Sequence, residues 1–201
     1  MQKTKYKAHP TLFNNTPLVQ RPGQLSVVVG DYFEEASLKL FNLKRLCINS
    51  THDVCPDLCN EEGSFFIESK ASNLKSGGIA VKKDQVYCYR DLVDFHFPDI
   101  YDINPVFKID LKYCLWFYDA DLQTPEVDEI REILSTSIKK CIVVNFDVIW
   151  DLMRDSTVRF NKRIKYNTIL KSIKDKPKRR TMRTLNVYDK ETLNFEQIEV
   201  Q

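Results

Sequence analysis

The chain predicts an α/β fold: a mixed central β-sheet flanked by helices. Two observations carry this. Apolar residues recur at helical spacing over 31–43 and 125–138, and β-prone runs alternate with these segments in the order helix, three strands, helix, strand, helix, strand. Size agrees, since 201 residues can bury one full core and carry an appendage.

Residues 1–24, punctuated by Pro10, Pro17 and Pro22, read as irregular. Leu25–Val29 is a short β-rich run ending at Gly30. Asp31 is a candidate N-cap for a helix reaching Leu43, with Phe33, Ala36, Leu40 and Leu43 along one side. Strands over Arg45–Ile48 and around Val54–Leu58 follow, joined by polar residues 49–53. Asn60–Gly63 makes a hairpin turn into a strand at Phe65–Ala71. After Gly77-Gly78, a helix covers about Val81–Val93. Pro98, Pro105 and many aspartates make 94–110 a loop or insertion. Lys112–Tyr118 is strongly β-prone, Pro125–Ile138 is helical with Pro125 in the first turn, and Cys141–Ile149 reads as a buried strand. Leu185–Tyr188 and Leu193–Val200 suggest a terminal hairpin. The chain thus divides into an irregular segment 1–24, an α/β domain 25–153 and a basic C-terminal extension 154–201.

A net charge of +2 conceals an asymmetry. Residues 154–183 hold twelve Lys/Arg against two acids, so the other 171 residues sum to −8. A basic block on an acidic body suits an anionic partner, nucleic acid first, although a solvated tail would carry the same charge. Within it Lys162, Arg163, Lys165, Lys178, Arg179 and Arg180 are the candidate backbone contacts. No apolar run approaches the ~18–20 residues of a membrane span, and the N-terminus lacks the apolar stretch of a signal peptide. The expectation is a cytoplasmic protein, or one associated with nucleoid or nucleus, that is not secreted and keeps its cysteines reduced.

The densest chemistry lies at Pro56-Asp57 and, after ten intervening residues, Glu68-Ser69-Lys70 at the end of an apolar run. In a strand, residues i and i+2 share a face, so Glu68 and Lys70 would stand roughly 6–7 Å apart. Two carboxylates able to hold a hard cation, beside an ammonium, are the parts needed to cut a phosphodiester with Mg²⁺. An isolated E-x-K is also an ordinary surface ion pair. On the preceding helix, a 100° wheel turns Glu34 inward and Glu35 to solvent, although Asp31-x-x-Glu34 is equally a capping-box spacing. Gln85 and Tyr89 lie one helical turn apart and share a face.

Taken in order, Gly30-x-x-x-Glu34, Pro56-Asp57, Glu68-Ser69-Lys70 and Gln85-x-x-x-Tyr89 resemble the motifs of the PD-(D/E)xK nuclease superfamily, over roughly residues 25–150. The resemblance implies a restriction-endonuclease-like core. It also implies that Asp57, Glu68 and the backbone carbonyl of Ser69 bind Mg²⁺, for which Mn²⁺ may substitute. Lys70 would stand by the attacking water, Glu34 would support the site, and Gln85 and Tyr89 would contact DNA or orient ligands. The function so implied is a metal-dependent DNA nuclease, an endonuclease of restriction or recombination/repair type. A double-strand cut would favour a homodimer. The rival is a non-catalytic nucleic-acid-binding or scaffold protein keeping the same fold, and RNA is a third option as substrate.

Other chemistry is thinner. Cys47, His52, Cys55 and Cys59 lie within thirteen residues, but not at paired C-x-x-C spacing, so zinc is disfavoured. His9 and His96 are isolated from any Ser-His-Asp pattern, and no phosphate-binding glycine loop occurs.

Overall fold

The structure, a computed structural model, describes residues 23–46, 55–95, 109–123, 126–154, 156–157, 159–175, 184–189 and 194–199. The elements are α1 (Gln24–Phe41), β1 (Lys44–Arg45), β2 (Leu58–Cys59), β3 (Phe65–Asn73), β4 (Ile79–Lys82), α2 (Lys83–Phe95), β5 (Asp110–Tyr118), α3 (Val127–Ser137), β6 (Ile138–Asn145), α4 (Phe146–Arg154), β7 (Asn161–Ile164), α5 (Tyr166–Asp175), β8 (Thr184–Asp189) and β9 (Asn194–Glu199). The expected class holds: a mixed central sheet with helices on both faces.

The main sheet has the order β1-β2-β3-β5-β6-β8-β9. Its only parallel pair among the described strands is β3 with β5, from Phe65↔Asp110 to Asn73↔Tyr118, and α2 lies in the crossover between them. β1–β2 and β2–β3 are antiparallel, with Leu58 opposite Ile67. The expected terminal hairpin forms as β8–β9 and joins the sheet at β6.

Period-2 alternation assigns each face. Leu58, Ile67, Cys114, Trp116 and Val143 pack against α1 and α3 through Val29, Phe33, Ile130 and Leu134. Phe66, Tyr113, Leu115, Phe117 and Val144 pack against α2, α4 and α5 through Tyr89, Leu92, Ile149, Met153, Ile169 and Ile173. β5 is buried on both faces, which is why it reads as an unbroken apolar run.

Several expectations are corrected. Leu25–Val29 is not a strand but the first turns of α1. Val29 is buried on the sheet while Val27 is exposed, so packing of one face overrides the strand preference of three consecutive valines. The helix therefore begins at Gln24, not at Asp31. Cys141–Ile149 splits, the strand ending at Asn145 and α4 starting at Phe146, whose buried Phe146, Ile149 and Met153 follow helical spacing. Val81 and Lys82 belong to β4 rather than to the following helix, and β4 pairs with β7. The basic stretch expected to extend beyond residue 153 is built into the body up to Asp175: β7 and α5 bring Ile164, Ile169 and Ile173 into the α2-side core.

One glycine is obligatory. Gly78 has φ 130°, and a Cβ there would meet the Ile164 carbonyl oxygen at 2.5 Å. The β3–β4 turn can press against the end of β7 only because no side chain intervenes.

Candidate active site

β2 and β3 bring the predicted residues together. One step beyond the Leu58↔Ile67 pair, the register sets Asp57 beside Glu68. Asp57 is fixed by its own neighbour strand, with Oδ2 accepting the Ser69 amide N–H at 2.9 Å. Along β3, Phe66, Glu68 and Lys70 face α2, while Ile67 and Ser69 face α1, the alternation the sequence predicts.

Glu68 is wholly buried, and both oxygens are engaged. Oε1 takes the Lys70 ammonium and one N–H of Gln85 at 2.9 Å, and Oε2 faces the Tyr89 hydroxyl at 2.5 Å. The second Gln85 N–H goes to Tyr89 Oη at 3.0 Å. Tyr89 Oη also lies 2.7 Å from the Cys55 carbonyl oxygen, and its single proton cannot serve two acceptors at once. With Glu68 protonated, the acid donates to Tyr89 and Tyr89 donates to Cys55. With Glu68 ionised, Tyr89 turns its proton to the carboxylate.

Electrostatics match that two-state picture. Burial, reinforced by the Asp57 charge, lifts the Glu68 carboxyl from 4.5 to about 7 against the opposing pull of Lys70. Burial disfavours the Lys70 ammonium, but Glu68 and Asp57, with Glu34 behind them, outweigh it and hold the group above its usual range. Lys70 is therefore a cation at neutral pH: a donor and a charge, not a base. Burial and then the Glu68 charge raise the Tyr89 and Tyr113 hydroxyls well above the ordinary phenol value, so both remain neutral donors.

The donor set fits a hydrated divalent cation. The Asp57 charge adds to the cost of ionising Glu68, which a bound cation would relieve. Tyr113, the register partner of Glu68 on β5, has a buried hydroxyl with no hydrogen-bond partner, and Gln85 Oε1 is likewise buried and unmatched. Such orphaned polar atoms mark where ordered water or ion-bound water belongs.

Not every expectation lands at this centre. Glu34 does turn toward the sheet, where it is held by Arg45 of β1 at 2.7 Å and adds its field at Lys70. Glu35, expected in solvent, pairs with Arg131 of α3. Gln85 and Tyr89, expected to contact DNA or orient ligands, both grip Glu68, and Tyr89 has no exposed surface with which to reach nucleic acid. Of the basic candidates, Lys162 is half-buried and donates one bond to the Leu152 carbonyl at 2.7 Å, Arg163 is exposed and donates one to that of Ser76 at 3.2 Å, and Lys165 is exposed. Lys178, Arg179 and Arg180 lie outside the described residues, as do Cys47 and His52 of the disfavoured zinc group, whose Cys59 is buried in the core.

Two participants escaped the sequence reading. Tyr113 reads as an ordinary strand aromatic, and only the β3–β5 register puts it beside Glu68. Arg45 reads as a strand residue, and only the docking of β1 near α1 shows it holding Glu34. Cys55, Cys59, Cys88, Cys114 and Cys141 are free thiols, and no helix among the described residues is long and apolar enough to cross a membrane. No family model, curated protein or solved structure matches this chain.

Proposed function

We propose that this protein is a metal-dependent DNA nuclease of the PD-(D/E)xK type, hydrolysing phosphodiester bonds as an endonuclease. One observation carries the reading: Asp57, Glu68 and Lys70 converge where β2 meets β3, with Glu68 buried and held by three donors. A surface ion pair would not be sunk into a core in this way, because burying charge without a task costs several kcal/mol. The order of helix, three antiparallel strands, helix and parallel strand supports a restriction-endonuclease-like core.

Asp57, Glu68 and the Ser69 carbonyl would hold Mg²⁺ or Mn²⁺, which supplies Lewis-acid polarisation of the phosphoryl oxygen and a more acidic water. Lys70, permanently charged, orients the attacking water and stabilises negative charge as it builds on the phosphorus oxygens. Tyr89 and Gln85 fix the Glu68 rotamer. Glu34, neutralised by Arg45, trims the field at Lys70 and touches no reacting atom.

The test is cleavage of a supercoiled plasmid and a single-stranded oligonucleotide with Mg²⁺ or Mn²⁺, with an RNA oligonucleotide alongside. Lys70→Ala should cut about 10²–10⁴-fold more slowly than the natural chain. Equal cutting by both, or salt-sensitive binding with no scission by either, would overturn the catalytic reading in favour of a non-catalytic binder.

A further inference from the structure

A second feature lies on the same face of the same strand. An open cleft of about 370 Å³ is lined by Ser72 and Asn73 at the end of β3, Phe117 at the end of β5, the turn at Lys75–Gly78, and Lys165–Asn167 opening α5. Ser72 follows Lys70 by two residues and shares its face, so the cleft begins roughly 6–7 Å beyond the Lys70 Cα. It opens at the carboxyl ends of the parallel pair β3 and β5, where ligands of open α/β sheets characteristically bind.

We propose that this cleft receives one unpaired nucleotide next to the scissile phosphate, making single-stranded or frayed DNA the substrate of this site. The inference rests on the nuclease reading for what happens at Lys70, but binding in the cleft can be measured without it.

Its chemistry is that of a base plus a phosphate. Tyr166, half-buried, meets the buried Phe117 edge-to-face at 5.2 Å and is the aromatic ring of the lining that a base can touch. Lys140 sits 4.5 Å over the Tyr166 ring and brings a second positive charge to it. Lys165 is exposed and makes no ion pair with any described residue, which leaves it to meet a phosphate, while Asn167 offers an unspent amide to a base edge. Lys75, tied to Asp119 at 3.2 Å, stands on the opposite rim. Beside it Gly78 lies directly against the Ile164 backbone. The volume suits a ligand of single-nucleotide size and not a stacked base pair, and a base inside it must have left any duplex stack.

The experiment uses the full chain in EDTA, so that nothing is cut, with a fluorescein-labelled single-stranded DNA 10-mer and its duplex, read by anisotropy. The single strand should bind more tightly than the duplex. Lys165→Glu and Tyr166→Leu should each weaken single-strand binding on the order of tenfold. Lys171→Glu, an equal charge reversal on exposed α5 surface beyond the cleft, should cost less than about twofold. Equal losses from Lys165→Glu and Lys171→Glu, or equal affinity for duplex and single strand, would overturn the proposal. Cleft-dependent binding without Mg²⁺-dependent scission would leave the cleft standing and sink the nuclease; scission indifferent to Lys165→Glu would do the reverse.

Discussion

The two faces of β3 hold two buried polar clusters of opposite character. On the α1 side, Ser69 Oγ donates to the Phe33 carbonyl at 3.2 Å and lies 3.0 Å from Ser37 Oγ, which accepts the Trp116 indole N–H at 2.8 Å. Every group there is neutral and matched. On the α2 side, Glu68, Lys70, Gln85 and Tyr89 form a charged cluster beside Asp57, with orphaned atoms on Gln85 and Tyr113. Adjacent residues of one strand thus serve different ends. The neutral cluster ties helix to sheet beside Ser69; the charged one holds a buried carboxylate whose ionisation is costly.

Glu68→Gln separates them most sharply. The native carboxyl titrates near 7 rather than 4.5, so the folded state binds its proton more tightly than the unfolded chain does. Stability from this group is complete below pH 4.5 and is lost as pH rises to about 7, amounting to about 3 kcal/mol. Glu68→Gln should abolish that decline and raise the melting temperature at pH 8, while eliminating cleavage. Denaturant titrations at pH 5 and pH 8 check it, and an unchanged pH dependence would mean that Glu68 is not the buried acid described.

Ser37→Ala is the counterpart on the other face. It strands the Trp116 N–H in a buried site and should cost about 1–3 kcal/mol, equally at both pH values. A loss that varied with pH would show that the two faces are coupled through Ser69.

Metal affinity should sharpen the contrast further. Because the cation must displace the Glu68 proton, Mn²⁺ affinity, read by calorimetry, should rise about tenfold per pH unit below pH 7 and level off above it. Tyr89→Phe removes a hydrogen bond that favours the ionised carboxylate, so the levelling-off should move to higher pH. Ser37→Ala should leave the profile where it is.

Much of this was legible in the chain. Glu68 and Lys70 pointed to one face because strand alternation is strict, Asp57 joined them through the resemblance to the nuclease motifs, and the mixed sheet followed from alternating periodicities. The start of α1 was not legible, since Val27-Val28-Val29 prefers a strand until a sheet is present to bury one side of a helix. Nor was the break at Asn145, because an apolar run satisfies both a buried strand and a buried helix. The charges of residues 154–175 suggested an extension, and only three spaced isoleucines, Ile164, Ile169 and Ile173, betrayed that the segment packs.

By itself, then, the amino-acid order determined which side chains of one strand share a face, and so that Glu68 and Lys70 could act together; that is a property of local backbone geometry, repeated every two residues. Partners from distant segments were decided only by folding. Tyr113 beside Glu68, and the cleft that Gly78 allows against Ile164, each join residues far apart in the chain. Register and docking, fixed by the burial of whole apolar faces, set those distances, and no window of sequence contains them.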